Sequence, residues 1–170
     1  MGKKLSEMSL EELWQLFPIF LTEPQDCWKE QYEEEKSRLN GMLPSSAAVR
    51  ISHIGSTCVN TIWAKPIVDI LVELLEQYEM KNIKEILVCN GYACMSESEN
   101  RISLNKGYTE NGFAANVYHV HLRYAGDHDE LYFRDYLMDH PDVAREYERL
   151  KLSLWKKYEH NRDQYTQAKT

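Results

Sequence analysis

A carboxylate inside an apolar strand is the feature of this sequence that most needs a chemical explanation. Asp69 lies within Ile67-Val68-Asp69-Ile70-Leu71-Val72, an apolar and β-branched run that is typical of a buried strand. Burying a carboxylate without a partner is costly, so Asp69 needs a cation, a cluster of hydrogen bonds or a ligand. Two interpretations stay open: a structural ion pair with Lys65 or Arg50, and a site that holds a metal ion.

A second chemical signal is the tripeptide Gly55-Ser56-Thr57, which follows another apolar run, residues 51–54. This run predicts a buried strand that ends in a turn at Gly55 and Ser56. Backbone N–H groups of a Gly-Ser turn can approach a phosphate closely, and a carboxylate on the adjacent strand can hold the Mg²⁺ that accompanies it. The two stretches together suggest a phosphate and metal site.

Two histidines, His119 and His121, lie two residues apart in a third predicted strand, residues 113–124. Residues two apart project from the same face of a strand, so both imidazoles point the same way. They form a candidate metal or phosphate site, or alternatively a pair of half-exposed strand histidines. The next residue on that face is Arg123 rather than a third histidine, which disfavours a histidine-triad hydrolase.

The elements that must position these residues predict an α/β (α+β) fold, a small mixed β-sheet flanked by helices. Strands are predicted over residues 48–54, 66–74, 92–95, 101–104 and 113–124, and loops over residues 57–65 and 106–112. Helices are predicted over residues 9–16, 22–42, 78–88, 141–158 and 160–170, and from Asp127 to the break at His140-Pro141. The apolar stripe of the 141–158 helix is predicted to be Val143, Tyr147, Leu150, Leu154 and Tyr158.

Composition narrows the class of protein. The length of 170 residues suits one domain, and a net charge of −7 argues against non-specific nucleic-acid binding. No apolar run approaches the length of a membrane span, and the residues after Met1-Gly2-Lys3-Lys4 lack the apolar region of a secretory signal. Because the four cysteines form no disulfide framework, the cytoplasm is the expected compartment. The acidic run of residues 33–36 is interpreted as a solvated helix face.

The four cysteines show neither a C-x₂-C pair nor a disulfide framework. Three of them, Cys27, Cys89 and Cys94, are predicted to be small core residues. Cys58 lies in the loop after the Gly-Ser turn, and no base partner in the sequence supports a catalytic thiol there.

Several separate blocks resemble the GrpB family, which is related to the DNA polymerase beta-like nucleotidyltransferase superfamily. The matching blocks are residues 53–57, 64–70, 101–108, 119–123 and 131–137. The resemblance implies one nucleotidyltransferase-fold domain over residues 1–170, with helical N-terminal and C-terminal extensions. One departure matters: the superfamily usually has a second carboxylate two residues after the first, and this chain has Leu71 there.

The resemblance also implies roles for individual residues. Phosphate would be cradled by Gly55, Ser56 and Thr57 and neutralised by Lys65, Lys106, Arg123 and Arg134. Asp69 would hold Mg²⁺ or another divalent metal, with His119 or His121 where a further acid usually stands, and His53 would complete the metal cluster. Lys157 or Lys169 is a further candidate for the phosphate site.

Three functions follow from the resemblance and stay open. The first is a metal-dependent nucleotidyltransferase that binds a nucleoside triphosphate and transfers a nucleotidyl group to an unknown acceptor. The second is a non-catalytic module for a nucleotide or a CoA-like ligand, since some GrpB-like domains are fused to dephospho-CoA kinase. The third is a metal-dependent phosphoester hydrolase. In each case we expect the partner to be a nucleotide or a phosphorylated small molecule. We expect no association with a membrane.

Overall fold

Two helices, two strands, one helix, three strands and three helices follow one another along the described residues of the chain. The computed structural model describes residues 3–169 except for the side chains of Arg162 and Lys169. The helices are α1 (Leu10–Leu16), α2 (Cys27–Met42), α3 (Met80–Cys89), α4 (Asp129–Asp139), α5 (Pro141–Tyr158) and α6 (Arg162–Lys169). The strands are β1 (Ala48–Ile54), β2 (Val68–Leu74), β3 (Ala93–Glu97), β4 (Arg101–Thr109) and β5 (Gly112–Tyr124). Short 3₁₀ turns cover Leu5–Glu7 and Ser56–Cys58. The predicted α+β class is confirmed.

One mixed sheet has the strand order β1-β2-β5-β4-β3. Strands β2 and β5 run parallel, and the other neighbours are antiparallel. The β2–β5 register sets Asp69 beside His119 and Leu71 beside His121. Because alternate residues of a strand project from opposite faces, this register brings the chemical residues of both strands to one face.

The other face of the sheet carries the main hydrophobic core. Apolar residues of β2 and β5, such as Ile70 and Val120, pack there against helices α2 and α3, which contribute Trp28, Leu39 and Ile83. Most of these side chains are fully buried. The core therefore occupies one face and leaves the opposite face of the central strands available for polar chemistry.

Helix α2 starts later than the sequence predicted, at Cys27 rather than Thr22. Thr22 instead pairs with Ala64, with backbone hydrogen bonds of 2.9 and 3.1 Å. A residue held in this bridge is extended, so the helix cannot include it. Asp26 directly precedes the helix.

Strand β4 also differs from the prediction, because it continues through residues 106–109 where a loop was expected. Gly107 has φ +100°, and a Cβ there would lie 2.4 Å from the carbonyl oxygen of Asn116. Glycine at this position is therefore part of a strand irregularity between Lys106 and Tyr108. A local turn signal was in fact a bulge within a long hairpin.

Several burial predictions were wrong. Glu35 is fully buried rather than solvated, with Arg38 and Lys106 at 2.7 and 2.9 Å and a hydrogen bond from Tyr92. Cys89 and Cys94 are exposed, and Cys27 is only partly buried. Cys89 ends α3 and Cys94 lies on the edge strand β3, whereas Cys27 packs at the margin of the main core.

The buried side of α5 is rotated from the predicted stripe. Leu150 is 40% exposed, whereas the buried residues are Ala144, Glu148, Lys151 and Leu154. The helix buries polar side chains because it packs on the loop between β1 and β2, whose backbone needs hydrogen-bond partners. Within the described residues, no helix combines the length and the hydropathy required to cross a membrane.

Candidate functional site

The turn after β1 brings backbone against the carboxylate of Asp69. Gly55 has φ +75°, and a Cβ at that position would lie 2.5 Å from Asp69 Oδ2. A side chain at position 55 would therefore collide with the carboxylate. Cys58 closes the turn by donating from Sγ to the Gly55 carbonyl oxygen at 2.8 Å. Burial raises the pKa of the Cys58 thiol to about 12, so the thiol stays protonated at neutral pH.

Two imidazoles meet the other oxygen of the same carboxylate. His119 Nδ1 and His121 Nε2 each lie 3.4 Å from Asp69 Oδ1. Burial alone would raise the pKa of Asp69, but hydrogen bonds and charge from the two histidines hold it well below its ordinary value. Asp69 is therefore ionised, and its partners include both histidines. Arg50, the alternative partner, pairs with Glu73 at 2.6 Å instead.

A hydroxyl group lies within hydrogen-bonding distance of the other nitrogen of each imidazole, the one that faces away from Asp69. The Tyr108 hydroxyl lies 2.7 Å from His119 Nε2, and Ser103 Oγ lies 3.2 Å from His121 Nδ1. The second nitrogen of each ring thus has a partner of its own, which fixes the ring orientation. Both rings consequently direct their remaining nitrogen towards Asp69.

A cavity of about 350 Å³ opens beside this cluster. Of the residues predicted from sequence, those lining it are Gly55, Ser56, Thr57, Lys65, Asp69, His119 and His121. The helices add residues that sequence reasoning missed, namely Phe133, Tyr147, Lys151, Tyr165 and Thr166. The predicted turn, carboxylate and histidines therefore share one cavity, which α4, α5 and α6 cover.

Three predicted phosphate residues lie elsewhere. Lys106 pairs with Glu35 on the core side of the sheet. Arg123 pairs with Glu130 at 3.4 Å and approaches Asp127 at 3.9 Å. None of these contacts reaches the cavity.

The third of these residues, Arg134, donates to the carbonyl oxygen of His53 at 3.1 Å. Arg134 therefore fastens α4 to the end of β1 and does not line the cavity. Its predicted role of clamping a phosphate has no geometric support in this arrangement.

His53 supports the turn and does not line the cavity. Its ring stacks on Tyr32 of α2, and its Nε2 lies 2.8 Å from Thr57 Oγ1. The pKa of His53 is lowered to about 4, mainly by burial; the charge of Asp69 opposes this shift and that of Arg134 adds to it. The ring is therefore neutral at neutral pH.

Helix α5 clamps the loop that carries Trp63. Glu148 Oε2 accepts a hydrogen bond from the backbone N–H of Trp63 at 2.8 Å, and Lys151 Nζ donates to the backbone carbonyl oxygen of Trp63 at 2.7 Å. Lys151 is only 2% exposed, and its Nζ lies 5.0 Å from the centre of the Tyr147 ring. Lys151 thus adds a buried cation to the cavity wall.

The sequence offered one signal for Lys151: a lysine four residues after Tyr147, on the same side of an amphipathic helix. Lys157, one of the two C-terminal lysines chosen from sequence, does not supply this cation. Lys157 is exposed, with its Nζ 5.2 Å from the Tyr158 ring, and the side chain of Lys169 lies outside the described residues.

A resident metal ion does not fit the side chains as they are arranged. Within residues 3–169, as far as side chains are described, no group of three or more His, Cys, Asp or Glu is placed to hold a metal ion. Leu71 is fully buried with Ile54 and Leu131 at the position expected for a second carboxylate. One carboxylate and two imidazoles also make a poor donor set for Mg²⁺, which prefers oxygen ligands. Metal binding by Asp69, His53, His119 and His121 stays a prediction.

Sequence similarity to known proteins extends over most of the chain. The UPF0157 protein YqkA of Bacillus subtilis is 35% identical over 145 residues, which are 84% of this chain and 41% of YqkA. This chain therefore spans about two fifths of that relative. The glutamate-rich protein GrpB of Alkalihalophilus pseudofirmus is 32% identical over 161 residues, with 89% of each chain covered.

Solved structures agree with the fold. The conserved protein GrpB from Enterococcus faecalis superposes with a TM-score of 0.71 at 30% identity, covering 88% of this chain and 94% of that one. The Cid1 poly(U) polymerase with MgGTP bound superposes with a TM-score of 0.55 at 11% identity, covering 80% of this chain and 44% of Cid1. The second likeness shows that the fold is nucleotidyltransferase-like.

The family model described as GrpB protein matches residues 18–170. That range includes the turn at Gly55, the carboxylate of Asp69, both histidines and the helices that cover them. Together with relatives that align over most of its length, this match establishes that the chain belongs to the GrpB family.

Proposed function

We propose that the chain binds a nucleoside triphosphate and transfers a nucleotidyl group to an acceptor. The observation that carries the proposal is the convergence of Gly55-Ser56-Thr57, Asp69 and Lys65 on one cavity, to which α5 adds Lys151. A Gly-Ser turn allows close approach of phosphate, and buried cations favour it. The activity would take place in the cytoplasm, as the sequence suggests.

In the proposed reaction an acceptor oxygen attacks the α-phosphorus, and pyrophosphate leaves. Lys65 and Lys151 neutralise the charge of the departing phosphates. Both nitrogens of each imidazole already have partners, so the proton of the acceptor passes through a hydroxyl, from Tyr108 to His119 Nε2 or from Ser103 to His121 Nδ1. The ionised Asp69 stabilises the imidazolium that forms. The hydroxyls of Tyr108 and Ser103 keep these rings oriented.

A second candidate function is a non-catalytic module for a nucleotide or a CoA-like ligand. The buried Leu71 favours it, because this leucine stands two residues after Asp69, where a second carboxylate is expected. A phosphoester hydrolase would use the same residues with water as the acceptor. In both alternatives the cavity still binds phosphate.

Calorimetric titration with ATP, GTP, CTP and UTP tests the proposal, with and without Mg²⁺ or Mn²⁺. The variants are Asp69→Asn and, as a control, Glu85→Gln, which removes an exposed carboxylate from α3. Since the side chains do not fit a resident metal ion, we expect the nucleotide to bind as its own metal complex, with binding that Asp69→Asn loses and Glu85→Gln keeps. Metal-independent binding that survives Asp69→Asn would favour the non-catalytic module. Failure of all four nucleotides to bind would refute the nucleotide proposal.

A further inference from the structure

A second cavity adjoins the candidate site and has a different chemical character. It encloses about 140 Å³ and shares Lys65 and Ile67 with the larger cavity. Phenylalanines line it from two sides, Phe17 and Phe20 from the segment after α1 and Phe113 from β5. This apolar cavity and the polar site therefore meet at Lys65.

The strand geometry explains why the two cavities are neighbours. Val117 of the apolar cavity and His119 of the site are two residues apart on β5, so they share one face at a spacing of about 7 Å. The two cavities are therefore neighbours along β5, at a separation that a ligand of modest size can span.

Tyr108 joins the two cavities through a single side chain. Its ring packs edge-to-face on Phe17 and Phe113, with centroids 4.9 and 5.2 Å apart. Its hydroxyl group lies 2.7 Å from His119 Nε2. The aromatic wall of the apolar cavity therefore also orients an imidazole of the site.

Size and polarity restrict what the apolar cavity can accept. An apolar protein cavity of about 150 Å³ binds benzene, so a volume of 140 Å³ suits a single aromatic ring. Among the described residues that line it, Lys65 carries the only charge. A purine is larger than one ring, and its polar edges would lose hydrogen bonds to water there. The nucleobase of a bound nucleotide is therefore a poor occupant.

We propose that the apolar cavity binds the acceptor of the nucleotidyl group through a compact apolar part the size of one aromatic ring. This inference rests on the proposed function, since it assigns the second substrate of the same site. The acceptor is thus a small molecule that combines a nucleophilic oxygen with a monocyclic apolar group. Its ring enters between Phe17, Phe20 and Phe113, and its oxygen points towards His119.

Methyl-detected NMR of the whole chain tests the cavity with benzyl alcohol as the probe, followed at the methyl groups of Ile67, Ala115 and Val117. We expect saturable shifts at these methyl groups in the wild type. Ala115→Phe introduces a ring at the mouth of the cavity and should abolish the shifts. The control Ala168→Phe adds the same ring at an exposed position on α6 and should leave them unchanged.

Two outcomes would overturn the inference. One is a wild-type spectrum without saturable shifts at those methyl groups, and the other is binding that Ala115→Phe leaves intact. Ala115→Leu serves as a smaller blocking residue if the phenylalanine variant does not fold.

Nucleotide titration of the same samples separates this inference from the proposed function. Benzyl alcohol binding without nucleotide binding would keep the cavity as a ligand site and refute the transferase. Nucleotide binding without benzyl alcohol binding would refute only the acceptor inference.

Discussion

Gly55 lies so close to Asp69 that a Cβ at position 55 would come within 2.5 Å of the carboxylate oxygen Oδ2. The opposite oxygen, Oδ1, is 3.4 Å from each of two imidazoles. The carboxylate is therefore enclosed between a glycine on one side and two histidines on the other. This arrangement makes the turn and the carboxylate one structural unit, so a change in either should displace the other.

The substitution Gly55→Ala should lower stability by more than its backbone strain alone would, because the added Cβ would collide with the Asp69 carboxylate. Gly91 is a matched control, because it has φ +97° but nothing within 4 Å of its added Cβ. We expect Gly91→Ala to lower the free energy of unfolding by about 1 kcal/mol, and Gly55→Ala to lower it further and to abolish nucleotide binding. Urea denaturation and calorimetry measure both effects. Equal losses in the two variants would show that the contact with Asp69 has no importance.

The clamp between α5 and Trp63 should stabilise the loop that completes the cavity. In Lys151→Met the carbonyl oxygen of Trp63 loses its donor at 2.7 Å, and an unsatisfied buried group costs about 1–3 kcal/mol. We expect a fall of that size in the free energy of unfolding, together with weaker binding of pyrophosphate. Lys156→Met, an exposed lysine on the same helix, should change stability by less than about 0.5 kcal/mol. A stable Lys151→Met variant with unchanged affinity would contradict this role.

His53 should make stability depend on pH between about 4 and 6.5. Its pKa is lowered by burial from 6.5 to about 4 in the folded state, so between these values the unfolded chain binds more protons. Stability is then highest above pH 6.5 and falls as the pH drops towards 4, by up to about 3 kcal/mol.

Urea denaturation at pH 7.5 and pH 5.0 measures this effect. His53→Gln cannot take up a proton, so its loss of stability between the two pH values should be smaller than that of the wild type. An identical pH dependence in both proteins would exclude His53 as the source.

Phe133 should bind the nucleobase rather than the phosphates. It lines the cavity, is 50% exposed and packs edge-to-face on Tyr147, with ring centroids 5.6 Å apart. Stacking of a base on an aromatic side chain contributes about 1–3 kcal/mol. Phe133→Ala should therefore weaken ATP binding by about 5- to 150-fold and leave pyrophosphate binding unchanged.

The neighbouring Tyr132 provides the control for Phe133. Tyr132 is 66% exposed and contacts His128 rather than the cavity. Tyr132→Ala should bind ATP as the wild type does. An equal loss of ATP affinity in both variants would point to a general effect on α4 and not to stacking.

Local pattern was sufficient for much of this fold. The apolar runs predicted β1 with its observed limits and placed Asp69 within β2, because strands buried on one or both faces require such runs. The capping residue Ser9 and the break before Pro141 predicted the starts of α1 and α5. Spacing by two residues also predicted that His119 and His121 share a face, and the structure sets both beside Asp69.

The partners of charged groups depended on the tertiary structure. The sequence by itself determined the fold class, the Gly-Ser turn, the lone carboxylate and the paired histidines, because each depends on residues that are close along the chain. Only the tertiary structure decided that Lys106 pairs with Glu35 on the other face and that Lys151 lines the cavity. Lys106 and Glu35 are 71 positions apart in the sequence, and Lys151 is 88 positions from Trp63, to whose carbonyl oxygen it donates. Only the packing of helices on the sheet brings such residues together.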